Sequence, residues 1–316
     1  MDGLAAVAPV LSARPVIAVV GPTAAGKSAL AMALARERDG EIVCCDSLQV
    51  YRGLDIGSAK ATDGERAAVP HHLLDVVDPD QAFSAADYSR LARAALLQIA
   101  GRGRLAVVSG GTGLYLRALV QGLFEGPARD EPLRRRLERI ALRRGDPRLH
   151  ALLAAVDPAA AARIAPRDRV RVIRALEVFR STRRPISEHH RAGSEALRGH
   201  EVETIGLDPP REELRASVEQ RTADMFARGL LQEVRGLLGR GFAPDLRPLR
   251  AIGYRQAVAV IRGEMDVEQA QRAIVAETMR YAKRQMTWFR HQASVRWFKA
   301  PAPALAAARE WLDARA

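Results

Sequence analysis

Short apolar runs alternate with amphipathic stretches over the first 120 residues of the chain. Pro15–Val20, Glu41–Cys45 and Leu105–Ser109 are brief and apolar and end at turn signals, which predicts three buried strands. Helical spacing separates and follows them: the predicted helices run from Ser28 to about Arg38, from the capping box Ser84-Ala85-Ala86-Asp87 to about Ala100, and through Leu119. Strand, turn and helix in alternation predict a parallel α/β sheet, whose ligands bind beyond the carboxyl ends of its strands.

The pattern changes between about Gly126 and His200, where basic helical segments occur without a strand pattern. Val202–Leu207 then predicts a strand that returns the chain to the sheet. Four more helices are predicted, over Pro210–Ala227, Leu230–Gly239, Leu249–Arg262 and Val267–His291, and the Ala-rich tail Ala300–Ala316 is expected to be peripheral. We therefore predict an α/β core with C-terminal helices over residues 1–125 and 201–316, and an inserted all-helical domain over residues 126–200.

The composition is that of a globular chain rather than a membrane or disulfide-rich protein. Of the 316 residues 48% are hydrophobic, and no apolar run approaches the roughly 18 residues of a membrane span. Cys44 and Cys45 are too few for a disulfide framework or for a four-ligand zinc site by themselves. Met1–Arg14 lacks the pattern of a signal peptide. We therefore expect a cytoplasmic protein with no membrane partner.

The eight residues after the first predicted strand match the P-loop pattern G-x-x-x-x-G-K-S. They are Gly21, Pro22, Thr23, Ala24, Ala25, Gly26, Lys27 and Ser28. In a P-loop the backbone N–H groups surround a phosphate, the lysine neutralises its charge and the serine hydroxyl is a ligand for Mg²⁺. The position between a strand and a helix argues against a chance glycine-rich turn, and it predicts a P-loop NTPase-like core.

Positive charge is concentrated in two segments. The chain has 49 Lys and Arg against 37 Asp and Glu, a net charge of +12, and Arg129–Arg184 alone has 16 arginines against 7 acidic residues. Glu277–Lys299 has 6 basic residues against 1 acidic residue. One such run is typical of a solvated helical face, but two runs beside a P-loop favour a polyanionic partner, with nucleic acid first.

Lysine is rare in this arginine-rich chain. The four lysines are Lys27, Lys60, Lys283 and Lys299. We expect the remaining lysines to mark sites that need a compact ammonium group rather than a planar guanidinium.

Asp46 follows the second predicted strand and has two interpretations. A phosphotransferase would use it as a Mg²⁺ ligand or as a base for a substrate hydroxyl, whereas the same position suits a helix N-cap. His71 and His72 are adjacent, so their side chains do not easily face one ion. For these histidines we predict a structural or lid role instead of a metal site.

A resemblance to a known family adds to this interpretation. The succession GPTAAGKS, DSLQVYRGLDIGSAK, PHHLLDVVDP, FSAADY, GGTGLYLRAL, RVIRALEV, LRAIGYRQ and YAKRQMTWFR resembles bacterial tRNA dimethylallyltransferases, in the family's order, over roughly Val16 to Phe298. The resemblance implies transfer of a dimethylallyl group from its diphosphate to N6 of the adenosine immediately 3′ of the anticodon. The partners implied are dimethylallyl diphosphate and the anticodon stem-loop of tRNA, and we expect the protein to act as a monomer.

The resemblance also implies roles for individual residues. The P-loop would hold the diphosphate with Mg²⁺ at Ser28, and Arg221 would contact the same diphosphate. Asp46 would be the general base and Thr112 a hydroxyl that lines the reaction channel. Taken alone, Arg221 is typical of a solvated helix position and Thr112 of a helix cap.

The tRNA-contacting segments of the family map onto three stretches of this chain. They are Asp46, Ser47, Leu48 and Gln49, then Val170, Arg171, Val172, Ile173 and Arg174, and then Arg250, Ala251, Ile252, Gly253, Tyr254 and Arg255, with Thr112 and Arg134 as further candidates. Tyr254 and Trp288 are candidate stacking platforms for bases, although core packing explains such aromatics equally well.

Three alternatives remain open on the sequence. A P-loop small-molecule kinase or NTPase explains the P-loop and Asp46 but not the basic insertion, and it would turn over ATP without RNA. A non-catalytic RNA-binding protein explains the charge but not a complete P-loop. An isopentenyltransferase that acts on free adenine nucleotides would not need the helical insertion.

Overall fold

The computed structural model describes residues 13–124, 126–127, 130–191 and 195–315. These residues form two compact units. One consists of the chain up to Val120 together with the chain from Leu197 onward, and the other is Gln121–Ala196. The insertion predicted over residues 126–200 overlaps most of the second unit.

The first unit is built on a parallel sheet with strand order β3-β2-β4-β1-β5-β6. The strands are β1 (Arg14–Val20), β2 (Glu41–Cys44), β3 (His71–His72), β4 (Ala106–Ser109), β5 (His200–Leu207) and β6 (Arg296–Phe298). The central strand β1 pairs with β4 and β5, and Val16 lies opposite both Ala106 and Val202. The α/β prediction is confirmed, and the four predicted strands are present with their ends shifted by one or two residues.

Helices connect these strands and make up the second unit. They are α1 (Lys27–Glu37), α2 (Asp63–Ala68), α3 (Ala85–Gly101), α4 (Gly113–Val120), α5 (Glu131–Arg144), α6 (Asp146–Val156), α7 (Pro158–Ala161), α8 (Arg169–Thr182), α9 (Ile186–Arg191), α10 (Arg211–Ala227), α11 (Leu230–Gly239), α12 (Tyr254–Ile261), α13 (Val267–Gln292) and α14 (Pro301–Asp313). The predicted capping box at Ser84 is present. The Ser84 hydroxyl accepts from the N–H of Asp87, and the Asp87 carboxylate accepts from the N–H of Ser84.

The single helix predicted over Leu249–Arg262 is wrong in its first half. A short 3₁₀ turn, Pro248–Arg250, is followed by extended backbone at Ala251, and α12 begins only at Tyr254. Gly253 has a φ of 94°, outside the helical range, so the chain turns there before the helix starts. The break leaves residues 251–253 as a loop between the 3₁₀ turn and α12.

Both faces of the sheet are buried. Along β1, Val16, Ala18 and Val20 belong to one apolar cluster, and Ile17 and Val19 belong to a second cluster. This alternation is the two-residue period of a strand whose two faces are both covered by helices. The buried part of β1, from Val16 to Val20, thereby fixes the start of the P-loop that follows it.

The chain end is part of the core, so the prediction of a peripheral tail is wrong. β6 pairs with β5, and Ala304, Ala308 and Leu312 of α14 pack in the cluster that also contains Leu30 and Leu34 of α1. An Ala-rich stretch looks weakly apolar, but small side chains let two helices approach closely. α14 therefore supports the helix that carries the P-loop.

The second unit is an all-helical bundle with its own core. Leu137, Leu149, Leu153 and Val178 are buried in it together with Val172, Ile173 and neighbouring residues. Val172 and Ile173 were predicted to contact tRNA, and this is wrong for their side chains, which are 0% and 3% exposed. Val170 and Arg171, in contrast, are exposed on α8.

Arg134 has a structural partner inside this bundle. Its guanidinium donates to both carboxylate oxygens of Glu177, at 2.6 and 2.7 Å, and Glu177 is fully buried. This pair gives Arg134 a structural role, because a buried carboxylate has to be neutralised, and the proposed contact of Arg134 with tRNA stays a prediction.

No helix in the described part of the chain is both long and apolar enough to cross a membrane.

We expect Arg134→Met to destabilise the second unit by about 3–5 kcal/mol, because the buried Glu177 carboxylate loses both of its short hydrogen bonds and keeps only Arg174 at 3.9 Å. Hydrogen exchange of the α5 and α8 amides reports this loss directly. Arg135→Met, at the exposed neighbouring position, is the control and should change the exchange free energy by no more than about 0.5 kcal/mol. Equal protection in the two variants would contradict the structural role of Arg134.

Candidate active site

The P-loop links β1 to α1 in a conformation suited to binding an anion. Gly26 is the N-cap of α1 and adopts a left-handed conformation with a φ of 88°, and Ala24 is also left-handed, with a φ of 64°. Successive N–H groups in such a loop point toward one centre, and the helix start adds a partial positive charge. Ser28 is exposed at this start of α1.

Lys27 folds back over the P-loop. Its Nζ donates to the carbonyl oxygen of Pro22 at 2.6 Å. Burial, together with the positive charge of Arg221, lowers the pKa of Lys27 to about 8. The ammonium is thus held where an anion would stabilise its charged form.

Arg221 reaches the P-loop from α10. Its Nη1 donates to Thr23 Oγ1 at 3.1 Å, and Nη2 donates to the carbonyl oxygen of Ser58 at 3.5 Å. Burial lowers the pKa of Arg221, and the nearby Asp46 opposes that shift. The helix position that sequence alone assigned to solvent is therefore an inward-facing cation beside the phosphate-binding loop.

Asp46 lies just beyond the end of β2, at the carboxyl edge of the sheet. Its Oδ1 accepts hydrogen bonds from the N–H groups of Leu48 at 2.8 Å and Gln49 at 3.4 Å. Residues 47–50 form a turn rather than a helix, so the N-cap interpretation is wrong and the carboxylate instead closes an Asx-type turn. Its second oxygen, Oδ2, accepts no hydrogen bond from the described residues.

Thr112 ties the loop after β4 to the turn at Asp46. Its hydroxyl oxygen accepts from the N–H of Ser47 at 3.1 Å, and its own N–H donates to the carbonyl oxygen of Cys45 at 3.2 Å. The two loops are therefore braced side by side. This placement brings Thr112 to Asp46 from a position 66 residues later in the chain.

The two cysteines before Asp46 are buried. Cys44 Sγ donates to Gln49 Oε1 at 3.0 Å, and burial raises the pKa of Cys45 to about 12 and that of Cys44 well above its usual value. Both thiols therefore stay protonated at neutral pH and serve as small apolar groups.

One cavity of about 450 Å³ in the first unit is lined by twelve of the predicted site residues, but not by Thr112. Its lining includes Thr23, Lys27, Ser28, Asp46, Ser47, Leu48, Gln49, Arg221, Arg250, Ala251, Ile252 and Gly253. A larger groove between α10 and α13, of about 1110 Å³, is lined by none of the predicted site residues. Phosphate-binding groups and a carboxylate thus face one enclosed space.

Three cavity residues on α13 had no role predicted from the sequence. Tyr281, Arg284 and Gln285 line the same space, and Arg284 lies over the Tyr281 ring at 5.5 Å. Burial and the charge of Asp46 raise the pKa of Tyr281 to about 12, so its hydroxyl remains a hydrogen-bond donor. The stretch YAKRQ contains all three, but nothing in its spacing distinguishes a cavity residue from a core residue.

Neither of the two aromatic stacking candidates, Tyr254 and Trp288, lines the cavity. Tyr254 is 0% exposed, and its hydroxyl donates to Glu233 Oε1 at 2.8 Å. Trp288 packs over Gly113 and meets Phe289 edge to face, and it does not line the cavity. Both rings are used for packing, and Tyr281 is the aromatic side chain of α13 that faces the cavity.

The loop from Leu54 to Lys60 is held beside the cavity by two charged groups. The Glu233 carboxylate accepts from the N–H groups of Asp55, Ile56 and Gly57. Lys60, whose side chain is 1% exposed, donates to Asp55, Asp75 and the carbonyl oxygen of Tyr51. These contacts fix Ser58 where its carbonyl meets Arg221.

The described residues contain no cluster of three or more His, Cys, Asp or Glu that could hold a metal ion. His71 and His72 form β3, and His72 Nε2 lies 2.6 Å from Glu41 Oε2. Side-chain oxygens of Ser28 and Asp46 are present beside the P-loop, where both residues line the cavity.

Fold and site together define a P-loop enzyme that binds a phosphorylated substrate next to a carboxylate. The family model described as IPP transferase matches residues 49–292. The chain belongs to this IPP transferase family.

Relatives resemble the chain over nearly its whole length. A tRNA dimethylallyltransferase of Anaeromyxobacter dehalogenans is 52% identical over 90% of this chain and 95% of that protein, and one of Solibacter usitatus is 49% identical over 90% and 92%. The crystal structure of a tRNA isopentenylpyrophosphate transferase from Bacillus halodurans is 37% identical with a TM-score of 0.69, covering 96% of each chain. A eukaryotic dimethylallyltransferase, described as acting on tRNA, is 25% identical with a TM-score of 0.77 and covers 95% of this chain and 80% of its own.

We expect Lys27→Ala to weaken binding of inorganic diphosphate by about 10- to 100-fold, the range for losing a hydrogen bond to a charged group. Lys27→Arg should not restore it, since the loop encloses a compact ammonium. Titration calorimetry of the wild type and both variants measures the change.

The same group predicts a pH dependence. A lysine is charged below its pKa, so wild-type affinity for diphosphate should fall as the pH rises through about 8. Lys27→Arg is the control: because arginine stays charged over this pH range, the pH dependence of its diphosphate affinity reflects titration of the ligand alone. A wild-type profile parallel to that of Lys27→Arg would contradict the lowered pKa of Lys27.

Proposed function

We propose that the chain transfers the dimethylallyl group of dimethylallyl diphosphate to N6 of the adenosine 3′-adjacent to the anticodon of tRNA. The products are N6-isopentenyladenosine in tRNA and diphosphate. The observation that carries this proposal is the single cavity that combines a P-loop and Arg221 with the Asp46 carboxylate and its Thr112 brace. Membership of the IPP transferase family supports it.

The phosphate-binding groups stabilise the leaving group. As the C1–O bond of the allylic substrate breaks, the electron pair stays on the diphosphate and negative charge grows on its oxygens. Lys27, Arg221 and the P-loop N–H groups are already in place to meet that charge, so little reorganisation is needed. The same groups suit the β- and γ-phosphates of a nucleotide, which is why the P-loop alone does not identify the substrate.

Mg²⁺ fits this site as a partner of the substrate rather than as a permanent ion. Mg²⁺ is bound in many phosphate sites by one or two protein oxygens together with phosphate oxygens and water. Ser28 and Asp46 supply such oxygens, and we propose Ser28 as the direct ligand. When bound, the ion would neutralise diphosphate charge.

Asp46 is proposed to accept the proton of the nucleophile. The N6 amine attacks C1 of the dimethylallyl group, the N6–C1 bond forms, and one N6 proton is lost. The amine is a weak nucleophile because its lone pair is delocalised into the purine, so a carboxylate placed to take the proton assists the step. Asp46 Oδ2 suits this role, since Oδ1 is the oxygen that holds the turn.

The target adenosine has to leave its stack in the anticodon loop to enter a cavity. We propose that residues 46–49 and 250–253 surround the extruded base, with Thr112 holding the turn at Ser47, and that Tyr281 and Arg284 offer it a stacking surface. Within the second unit, Val170, Arg171 and Arg174 on α8 are the proposed tRNA contacts. Arg255, exposed and paired with Glu277, is a further proposed contact to a tRNA phosphate.

We further propose that the protein acts in the cytoplasm, where tRNA is found, and as a monomer.

One labelling experiment tests the proposal against its alternatives. The protein is incubated with radiolabelled dimethylallyl diphosphate and, in parallel, with unmodified tRNA, AMP or ATP, and the labelled nucleoside is identified after digestion. Label in N6-isopentenyladenosine from tRNA supports the proposal. Label in AMP or ATP alone identifies an enzyme for free nucleotides, and ATP turnover without RNA identifies a kinase or NTPase.

We expect Asp46→Asn to lower single-turnover prenyl transfer by about 10²- to 10⁴-fold, the usual cost of losing a general base. Asn keeps the shape and the acceptor for Leu48 and Gln49, so tRNA affinity should change little. Transfer and tRNA binding are measured on the same samples. Prenyl transfer by Asp46→Asn at the wild-type rate would contradict the assignment of Asp46 as the general base.

Arg171→Ala should weaken tRNA binding and reduce the slope of log K against log salt by about 0.9, the loss of one phosphate contact. Diphosphate affinity should stay at the wild-type value. Arg309→Ala removes another exposed, carboxylate-paired arginine, on α14, and is the control. Equal salt slopes for both variants would remove Arg171 from the proposed interface.

A further inference from the structure

The side chain of Gln285 on α13 bridges two loops of the cavity. Its Oε1 accepts from the N–H of Thr23 at 3.0 Å, and its Nε2 donates to the carbonyl oxygen of Gly111 at 2.9 Å. Gln285 is 7% exposed, so both ends of the amide are used away from bulk water. One neutral group thus joins the P-loop to the loop that follows β4.

Thr23 and Gly111, the two hydrogen-bond partners of Gln285, are each connected to a residue with a proposed role in the reaction. Thr23 also accepts from Arg221 through its hydroxyl, at 3.1 Å. Gly111 precedes Thr112, whose hydroxyl accepts from Ser47, the neighbour of Asp46. Hydrogen bonds and short chain segments therefore run without a break from the phosphate-binding groups to the proposed base.

Gly111 is shaped to admit this amide. A Cβ at position 111 would overlap Gln285 Nε2, whereas its nearest backbone neighbour outside the loop, the carbonyl oxygen of Gly21, would lie at an ordinary 3.5 Å. The long side chain could move aside, but only by giving up its bond to Gly111. Gly111 and Gln285, which lie 174 residues apart in the chain, therefore pack closely enough that a side chain at position 111 would disturb their hydrogen bond.

Only a side-chain amide meets all the demands of this position. It offers one donor group and one acceptor without placing a charge beside the phosphate site. A carboxylate would face the Gly111 carbonyl oxygen without a proton and would repel a diphosphate. A methionine fills a similar volume but leaves an N–H and a C=O without their partner, at a cost typical of unpaired buried polar groups.

We propose that Gln285 is a positioning residue that sets the P-loop relative to the loops of Thr112 and Asp46, and so aligns the allylic C1 with the adenosine N6. The inference rests on the prenyl transfer proposed above. Each substrate can bind through its own groups without this bridge, but reaction needs both in line. Misplacement by about 1 Å is enough to cost roughly 10²-fold in rate.

The first test separates rate from binding. We expect Gln285→Met to lower the single-turnover rate of transfer about 10²-fold, while the dissociation constants of inorganic diphosphate and of tRNA stay within about threefold of wild type. Gln292→Met, at an exposed glutamine two turns further along α13, is the matched control and should keep the wild-type rate. An unchanged rate in Gln285→Met, or a loss explained wholly by weaker binding, overturns the inference.

A double-mutant cycle between positions 111 and 285 supplies the second test. Gly111→Ala adds one methyl group, which should displace the Gln285 amide and reproduce the rate loss expected for Gln285→Met. Combined with Gln285→Ala, it should add little further loss, because the bridge is already absent. Fully additive losses, or a wild-type rate in Gly111→Ala, count against the bridge even if Gln285→Met does not fold. Absence of product from the wild type would instead refute the proposed prenyl transfer.

Discussion

Opposite charges share one cavity of about 450 Å³, and keeping them from pairing with each other is the constraint on which the site depends. If the Lys27 ammonium met the Asp46 carboxylate, neither would be available to a substrate. The fold gives each charge a backbone partner instead: Lys27 donates to Pro22, and Asp46 accepts from Leu48 and Gln49. Both groups are thereby oriented in advance, which is the condition for electrostatic stabilisation without reorganisation.

Features with a local signature could be predicted from the sequence, and features made by tertiary contact could not. The P-loop, the strand before it and the capping box at Ser84 depend on neighbours in the chain. β3 and β6 are two and three residues long, too short for any periodicity, and exist because an adjacent strand pairs with them. Tyr254 fits equally well as a stacking platform or as a core ring, and only the position of Glu233 decides between them. Gln285 acquires its partners from loops that the sequence does not connect.

The scarcity of lysine was informative at two of its four positions. The Lys27 ammonium donates to the carbonyl oxygen of Pro22 at 2.6 Å, and Lys60 meets Asp55, Asp75 and a carbonyl at 2.5 to 2.8 Å. A planar guanidinium does not fit three acceptors converging on one point. Lys283 and Lys299 are exposed, where either basic residue is accommodated. The rarity of lysine therefore identifies sites that need a compact ammonium group only when the burial of each lysine is also known.

The interrupted sheet has a consequence for synthesis on the ribosome. β1 pairs on one side with β4, which ends at Ser109, and on the other with β5, which begins at His200. At about 5–20 residues per second, translation of the intervening chain takes roughly 5–20 s. During that interval the nascent sheet has an unpaired edge along the strand that carries the P-loop, the kind of edge that invites pairing with other chains. The helical bundle emerges in the same interval and is built from local contacts, which form in microseconds to milliseconds. The insertion therefore completes its own folding before the sheet that it interrupts, and the nascent enzyme has to protect an open β1 edge until β5 arrives.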